Sequence, residues 1–307
     1  MNAPENSAIA IDLTAVLVAV TGDEPRVLTI QDGKALPSGP FESGHRSLQT
    51  GLRSWVERQT HHPLGYIEQL YTFADRDRTQ DGGRVISISY LGLTREARAS
   101  GAEYPGWQNW YRYFPWEDWR FGAPPLVATI EKRLDLWTQS ASDPMQRRER
   151  GQRINAAFSF ADHRWNEELV LQRYELLYEA ELVPEAGLRG TVESPLEGGP
   201  MMHDHRRILA TGIARLRAKI KYRPVVFELM PDSFTLLQLQ QTVEALAGLR
   251  LHKQNFRRLV EQQGLVEEIG KVSTETGGRP AKLVRFRREV LQERAVAGAR
   301  LPVARPA

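Results

Sequence analysis

An α+β protein of two domains is what this sequence predicts, and three observations predict it. Ile9–Val20 (IAIDLTAVLVAV) is a β-branched apolar run with the length and composition of a buried strand. Thr235-Leu-Leu-Gln238 is a capping box that opens a helix through Ala247, and Gly248 closes it. Leu251–Arg288 reads as a short helix, a turn and a basic two-stranded wing.

The first half follows in order. Thr21–Pro25 turns and Arg26–Gln31 returns as a second strand. Leu36–Phe41 is a Gly/Pro-rich turn. His45–Gln59 has helical spacing, with Leu48, Leu52, Trp55 and Val56 on one face. Tyr66–Phe73 and Arg84–Leu93 are two more strands, split by the polar loop Ala74–Gly83. Strand, turn, helix and strand pair together suggest a sandwich of sheet and helices.

Tyr104–Phe121 (YPGWQNWYRYFPWEDWRF) concentrates four of the chain's seven Trp: Trp107, Trp110, Trp116 and Trp119. Its prolines and turn residues argue against one long helix. Three uses of these rings stay open: stacking on a nucleotide base, anchoring a subunit interface, or folding back on the core. Pro125–Thr138 reads as a helix carrying Leu126, Ile130, Leu134 and Trp137 at helical spacing. Asp143–Arg153 reads as charged helix or loop, Ile154–Phe160 as a strand, and Asn166–Leu182 as an amphipathic helix in which Arg173 lends its apolar stem. Val183–Pro200, rich in Gly and Pro, reads as a linker.

His203 and His205 are two apart. Alternate residues of a helix point about 200° apart, so they cannot chelate one metal from a regular helix. They mark a helix start instead. Asp204–Tyr222 carries Leu209, Ile213, Leu216 and Ile220 as one stripe, with Arg206, Arg207, Arg215, Arg217, Lys219 and Lys221 around it. Val225–Met230 reads as a short strand. In the last helix Phe256, Leu259 and Val260 share one face, and Gln254, Arg257, Arg258 and Glu261 the other, flanked by Lys253 and Asn255. Gly264 stops it, and Leu265–Val272 and Ala281–Arg287 follow as strands. The loop between them contains Gly278-Arg279-Pro280. Cations and amides on a helix, then a basic loop, are how a winged helix-turn-helix meets DNA: helix in the major groove, wing along phosphates or in the minor groove. A solvated helix beside a basic hairpin has the same sequence.

Charge supports a division of labour. Residues 203–307 hold 20 Lys/Arg against 10 Asp/Glu, whereas residues 1–202 hold 21 against 28. A polyanion partner at the C-terminal end fits that asymmetry. Zero cysteines exclude disulfides, Cys-ligated zinc and thiol catalysis. No run of about 18 apolar residues is present, so no membrane helix is expected. MNAPENSAIAIDL lacks the basic start and apolar core of a signal peptide, and a cytoplasmic location is the expectation.

LPSGPFESGH and RSWVERQTHHP resemble a degenerate Nudix box. With Gly39 as its first glycine, His45 stands at the first glutamate and Arg53 matches the arginine. Ser54, Arg58 and Thr60 replace the next glutamate, the last glutamate and the closing glycine, and Glu57 is retained. The box needs several carboxylates on one helix face to hold Mg²⁺ or Mn²⁺ against a pyrophosphate. With Glu57 alone of those three helix carboxylates, the resemblance implies a ligand-sensing domain without catalysis, with neither metal nor catalytic cofactor. Arg53 and Glu57 also fit a plain i,i+4 surface pair.

FTLLQLQQTVEALAG, NFRRLVEQQGLVEEIG and GGRPAKLVRF resemble the winged helix of Nudix-related transcriptional regulators of the NrtR type. YTFADRDR and GGRVISISYLGL are similar to that family's second strand pair, and the long middle to the branch that represses de novo NAD biosynthesis. The resemblance implies a Nudix-like α/β/α sandwich over residues 1–183, a linker over 184–202 and a winged helix-turn-helix domain over 203–307. It implies a homodimeric repressor on palindromic double-stranded operator DNA, modulated by NAD, ADP-ribose or ATP. Gln254, Asn255, Arg257 and Arg258 are the expected base readers, Thr235, Lys253 and Lys282 the phosphate contacts, and Arg279 the minor-groove residue. Arg53, Glu57, Tyr71, Phe73, Arg84 and Trp107 are the expected ligand residues. Two other readings stand beside it: an active Nudix pyrophosphohydrolase with a basic tail, and an RNA-binding regulator.

Overall fold

A β-branched apolar run becomes a strand when both of its faces find cover, and the first run does so. The computed structural model of the chain describes residues 9–62, 64–74, 79–80, 83–96, 106–160, 165–189, 195–273 and 280–290. It divides into two compact units, the first formed by residues 1–19 and 27–108, the second by 20–26 and 109–307. The Gly/Pro-rich stretch after residue 183 lies within the second unit.

The first unit is built on a mixed sheet. Its strands are β1 (Ala10–Thr21), β2 (Glu24–Leu28), β3 (Ser38–Pro40), β4 (Tyr66–Phe73), β5 (Thr79–Gln80), β6 (Gly83–Leu93) and β7 (Trp107–Asn109), in the order β4-β6-β1-β2-β7. β1 runs parallel to β6, from Ala10 opposite Val85 to Val18 opposite Leu93, and β3 pairs antiparallel with it through Leu13 and Gly39. One helix, α1 (Leu48–Thr60), lies in this unit among the described residues. Ser47 caps it by accepting from the Thr50 amide at 3.1 Å, so the helix begins later than periodicity alone suggests. Leu52 and Val56 of α1 close a core with Leu13, Ala15, Leu17, Leu28 and Tyr90.

The second unit is largely helical. Two short 3₁₀ turns, Trp110–Arg112 and Pro115–Glu117, precede α2 (Pro125–Gln139), α3 (Pro144–Phe158), α4 (Val170–Glu179) and α5 (His205–Ile220). The expected strand at 154–160 is instead the end of α3. Ile154, Ala157 and Phe158 are buried at helical spacing, and Asp143 caps the helix start. α4 is shorter than the Asn166–Leu182 reading. Residues 184–189 of the expected linker form a 3₁₀ turn, with Val183, Leu196 and Met201 buried.

The C-terminal elements are α6 (Leu236–Ala247), α7 (Lys253–Gln262) and a small sheet of β8 (Phe234–Thr235), β9 (Val266–Ser273) and β10 (Ala281–Phe286) in the order β8-β10-β9. Val225–Leu229 is a 3₁₀ turn and not a strand. Its Phe227 stacks on Phe286 of β10 at 4.1 Å, and side-chain cover rather than a ladder holds it. The capping box is formed as expected: Thr235 accepts from the Gln238 amide and Gln238 from the Thr235 amide. Gly248 at φ +71° and Gly264 at φ +57° take the left-handed conformation that ends a helix and starts a turn.

Candidate nucleic-acid interface and ligand site

α7 is amphipathic in the manner a groove-reading helix needs. Phe256 and Val260 are buried beneath it, and Lys253, Gln254, Asn255, Arg257 and Arg258 are all exposed. None of those five side chains has a partner among the described residues. An unpaired, solvated set of cations and amides is ready to exchange water for base edges or phosphates. Gln254, Arg257 and Arg258 share the face opposite Phe256 and Val260, with Lys253 and Asn255 at its two flanks.

The remaining predicted DNA contacts are placed differently. Lys282 is exposed on β10 and pairs with Glu268 of β9 at 2.8 Å. A surface pair of this kind is weak, so a phosphate can displace the carboxylate. Thr235 is 1% exposed and its hydroxyl is used as the α6 cap; it shapes the start of α6 from inside. Arg279 lies outside the described residues. Arg285 is neutralised across the wing by Glu267 at 2.5 Å.

Three of the α5 cations expected on its surface, Arg206, Arg217 and Lys219, are internal. Arg206 and Arg217 are fully buried. Arg206 donates to the Tyr113 carbonyl and pairs with Glu185 at 3.1 Å. Arg217 pairs with the buried Glu117 at 2.8 Å. Arg173 grips the same carboxylate, through Nε at 2.6 Å and Nη2 at 2.8 Å, so its whole side chain is buried and not only its stem. These groups add nothing to the basic surface. Sequence reasoning missed this cluster. The available signal was angular: Arg206 and Arg217 sit beside the apolar stripe on a helical wheel.

The aromatic segment resolves into core. Trp110, Tyr111, Tyr113, Phe114 and Trp116 are buried, whereas Phe121 is 75% exposed. Burial raises the Tyr111 phenol above its ordinary pKa.

In the first unit, the box residues are held by side chains of α1. Trp55 donates to the Pro40 carbonyl at 2.9 Å, and Gln59 exchanges two hydrogen bonds with the Ser38 backbone. A Cβ at Gly39 would lie 2.3 Å from the Trp55 ring, so any larger residue there would have to push that ring aside. His45, at the place of the first box glutamate, turns back to accept from the Glu42 amide at 3.1 Å. Arg53 donates to the carbonyls of Leu64 and Gly65, a tie between α1 and the start of β4. Glu57 is exposed one turn further along, and Arg58 lies over the Trp55 ring at 4.6 Å. Among the described residues no group of three or more His, Asp or Glu is arranged to hold a metal ion.

Of the other expected ligand residues, Tyr71 is 55% exposed on β4 and Phe73 is buried, their rings 4.9 Å apart edge to face. Trp107 packs on the sheet core, 5.7 Å from the His62 ring. The Arg84 side chain lies outside what is described, although its backbone pairs with Thr79. Arg53 and Trp107 thus have structural partners, and Glu57 and Tyr71 face solvent.

Residues 226–286 match the NrtR DNA-binding winged helix domain. The ADPR responsive transcriptional repressor NtrR of Acinetobacter baylyi is 42% identical over 83 residues, 27% of this chain and 33% of the relative. That alignment spans about a third of the relative's length. The structure of Shewanella oneidensis NrtR complexed with a 27mer DNA aligns over 92% of this chain and 95% of its own, at TM-score 0.52 and 20% identity. A MutT/nudix family protein from Enterococcus faecalis aligns over 94% and 90%, at TM-score 0.52 and 14% identity. At such identities the likeness concerns the fold. In the described residues no helix is long and apolar enough to cross a membrane. The chain therefore has a fold like that of Shewanella oneidensis NrtR, and its residues 226–286 match the NrtR DNA-binding winged helix domain.

Proposed function

We propose that this protein is a cytoplasmic transcriptional repressor of NAD-metabolism genes, acting as a homodimer on a palindromic operator. The observation that carries the reading is the row of unpaired, exposed Lys253, Gln254, Asn255, Arg257 and Arg258 on α7, inside the matched winged helix domain. One winged helix per half-site gives half-site centres about one turn of DNA apart. Arg257 and Arg258 suit guanine bidentately and Gln254 and Asn255 suit adenine. Lys253, Lys282 and the wing residue Arg279 serve phosphates and the minor groove.

The first unit binds an NAD-related nucleotide and biases DNA binding. The name of the Acinetobacter relative supports ADP-ribose ahead of NAD or ATP as effector. Coupling requires that the nucleotide prefer one of the two DNA-binding states. The unit hydrolyses nothing: Glu57 is solvated and Arg58 stands where the last box glutamate would be.

Fluorescence anisotropy of a labelled NAD-biosynthesis promoter fragment tests the reading, with an unrelated fragment as control and ADP-ribose, NAD and ATP added in turn. Preferential binding shifted by ADP-ribose is expected. Preference without nucleotide response removes the sensor, and no binding to either DNA removes the repressor. Mg²⁺-dependent turnover of ADP-ribose, lost on Glu57→Gln, would make the protein an enzyme.

A further inference from the structure

The recognition helix α7 does not set its own position. Its N-cap residue, His252, makes no side-chain capping bond. Its orientation is inherited from the four-residue connection after Gly248. The end of α6, which leads into that connection, has carbonyls with no partner inside the helix. Those carbonyls are met from far away in sequence. The Tyr111 hydroxyl donates to the Ala245 carbonyl at 2.8 Å. Arg217 Nε donates to the Leu246 carbonyl at 2.9 Å, and the Trp119 amide donates to the Gly248 carbonyl at 2.8 Å.

The residues that make these bonds are themselves locked together. Arg217 also donates to the Tyr111 hydroxyl at 3.3 Å, to the Glu117 carbonyl at 3.2 Å and to the Glu117 carboxylate. Arg173 of α4 holds the same carboxylate. The fit is close on the backbone side as well: a Cβ at Gly248 would lie 2.5 Å from the Glu117 carbonyl oxygen. From within the winged helix, Glu244 accepts from the Leu251 amide at 2.9 Å and from Arg250 at 2.7 Å. The connection is thus clamped between its own helix and the segment.

We infer that the segment Asn109–Phe121 is a brace for the α6–α7 turn, with Tyr111 and Glu117 as positioning residues that aim the recognition helix at DNA. The inference rests on the repressor reading above. It extends that reading because the brace lies wholly outside residues 226–286, the part matched by the NrtR winged helix domain. Among the segment's rings Tyr111 does more than fill space, because its hydroxyl finishes a helix end.

Tyr111→Phe tests this in the full-length protein, since it keeps the buried ring and deletes only the hydroxyl. Tyr178→Phe, on the surface of α4 at 39% exposure, is the control. Two quantities are read: amide hydrogen exchange, and affinity for a duplex selected by the wild type from a random pool, against unselected duplex. Tyr111→Phe is expected to speed exchange at residues 249–252 and to lower the selected-to-unselected ratio about fivefold, the effect of one lost hydrogen bond. Affinity for unselected duplex stays within about twofold, because exposed charge sets it. Unchanged exchange at 249–252 overturns the brace, as does an equal loss on both duplexes. If the wild type selects no duplex, the repressor reading fails and the aiming role fails with it. A wild type that selects and a variant that selects equally well sinks the brace alone.

Discussion

Glu117 and Arg217 stand 100 residues apart in the chain and meet as a fully buried ion pair at 2.8 Å. Arg173 reaches the same carboxylate, so one anion is shared by two guanidinium groups without solvent. Desolvating three charges is costly, and the hydrogen bonds to backbone carbonyls around them offset that cost. Both residues lie in the unit that carries α7.

Glu117→Gln should therefore be severe. It leaves two buried guanidinium groups facing a neutral amide, and breaking such a pair typically costs about 3–5 kcal/mol. Urea unfolding followed by tryptophan emission checks this, because Trp110 and Trp116 are buried in the same segment. A midpoint equal to wild type would mean that the pair contributes no net stability.

The two kinds of predicted DNA contact should separate on mutation. Arg258→Ala removes a free, groove-competent side chain and should lower preference for operator over random DNA by about 1–3 kcal/mol. Lys282→Ala should weaken all duplexes alike and flatten the salt dependence by roughly one charge. Anisotropy titrations on both duplexes across salt concentrations decide this. Equal losses on both for Arg258→Ala would remove it from the base readers.

The first unit should lose stability in mild acid through His62. Its ring is buried beside Trp107 and its Nε2 is 2.9 Å from the Thr94 hydroxyl, and burial lowers its pKa below the ordinary 6.5. Above that value both folded and unfolded chains carry it neutral, and its contribution is complete. As pH falls through about 6.5 the unfolded chain takes a proton that the folded one resists, so stability drops. Thermal unfolding between roughly pH 7.5 and 5.5, for wild type and His62→Gln, measures it. A variant with the same pH slope as wild type would assign the slope to other groups.

The sequence by itself determined the features whose causes are local. The Thr235–Gln238 capping box spans three residues, the left-handed Gly248 and Gly264 stop their helices, and the α7 faces follow from helical period, so each could be read before any contact was known. β1 was legible for a similar reason, because an apolar β-branched run has few alternatives to a buried strand. Tertiary structure decided whatever depended on a distant partner. Arg173, Arg206 and Arg217 look like surface cations until Glu117 and Glu185 are brought to them, and 154–158 continues a helix because burial of Ile154 and Phe158 outweighs their β propensity. The surroundings of the expected ligand residues were the least legible. Arg53 spends its donors on the Leu64 and Gly65 carbonyls and Trp107 packs on the sheet core, contacts that no residue spacing specifies. A charge or a ring states what chemistry it can do, but only its neighbours in space fix whether that chemistry faces inward or toward a ligand.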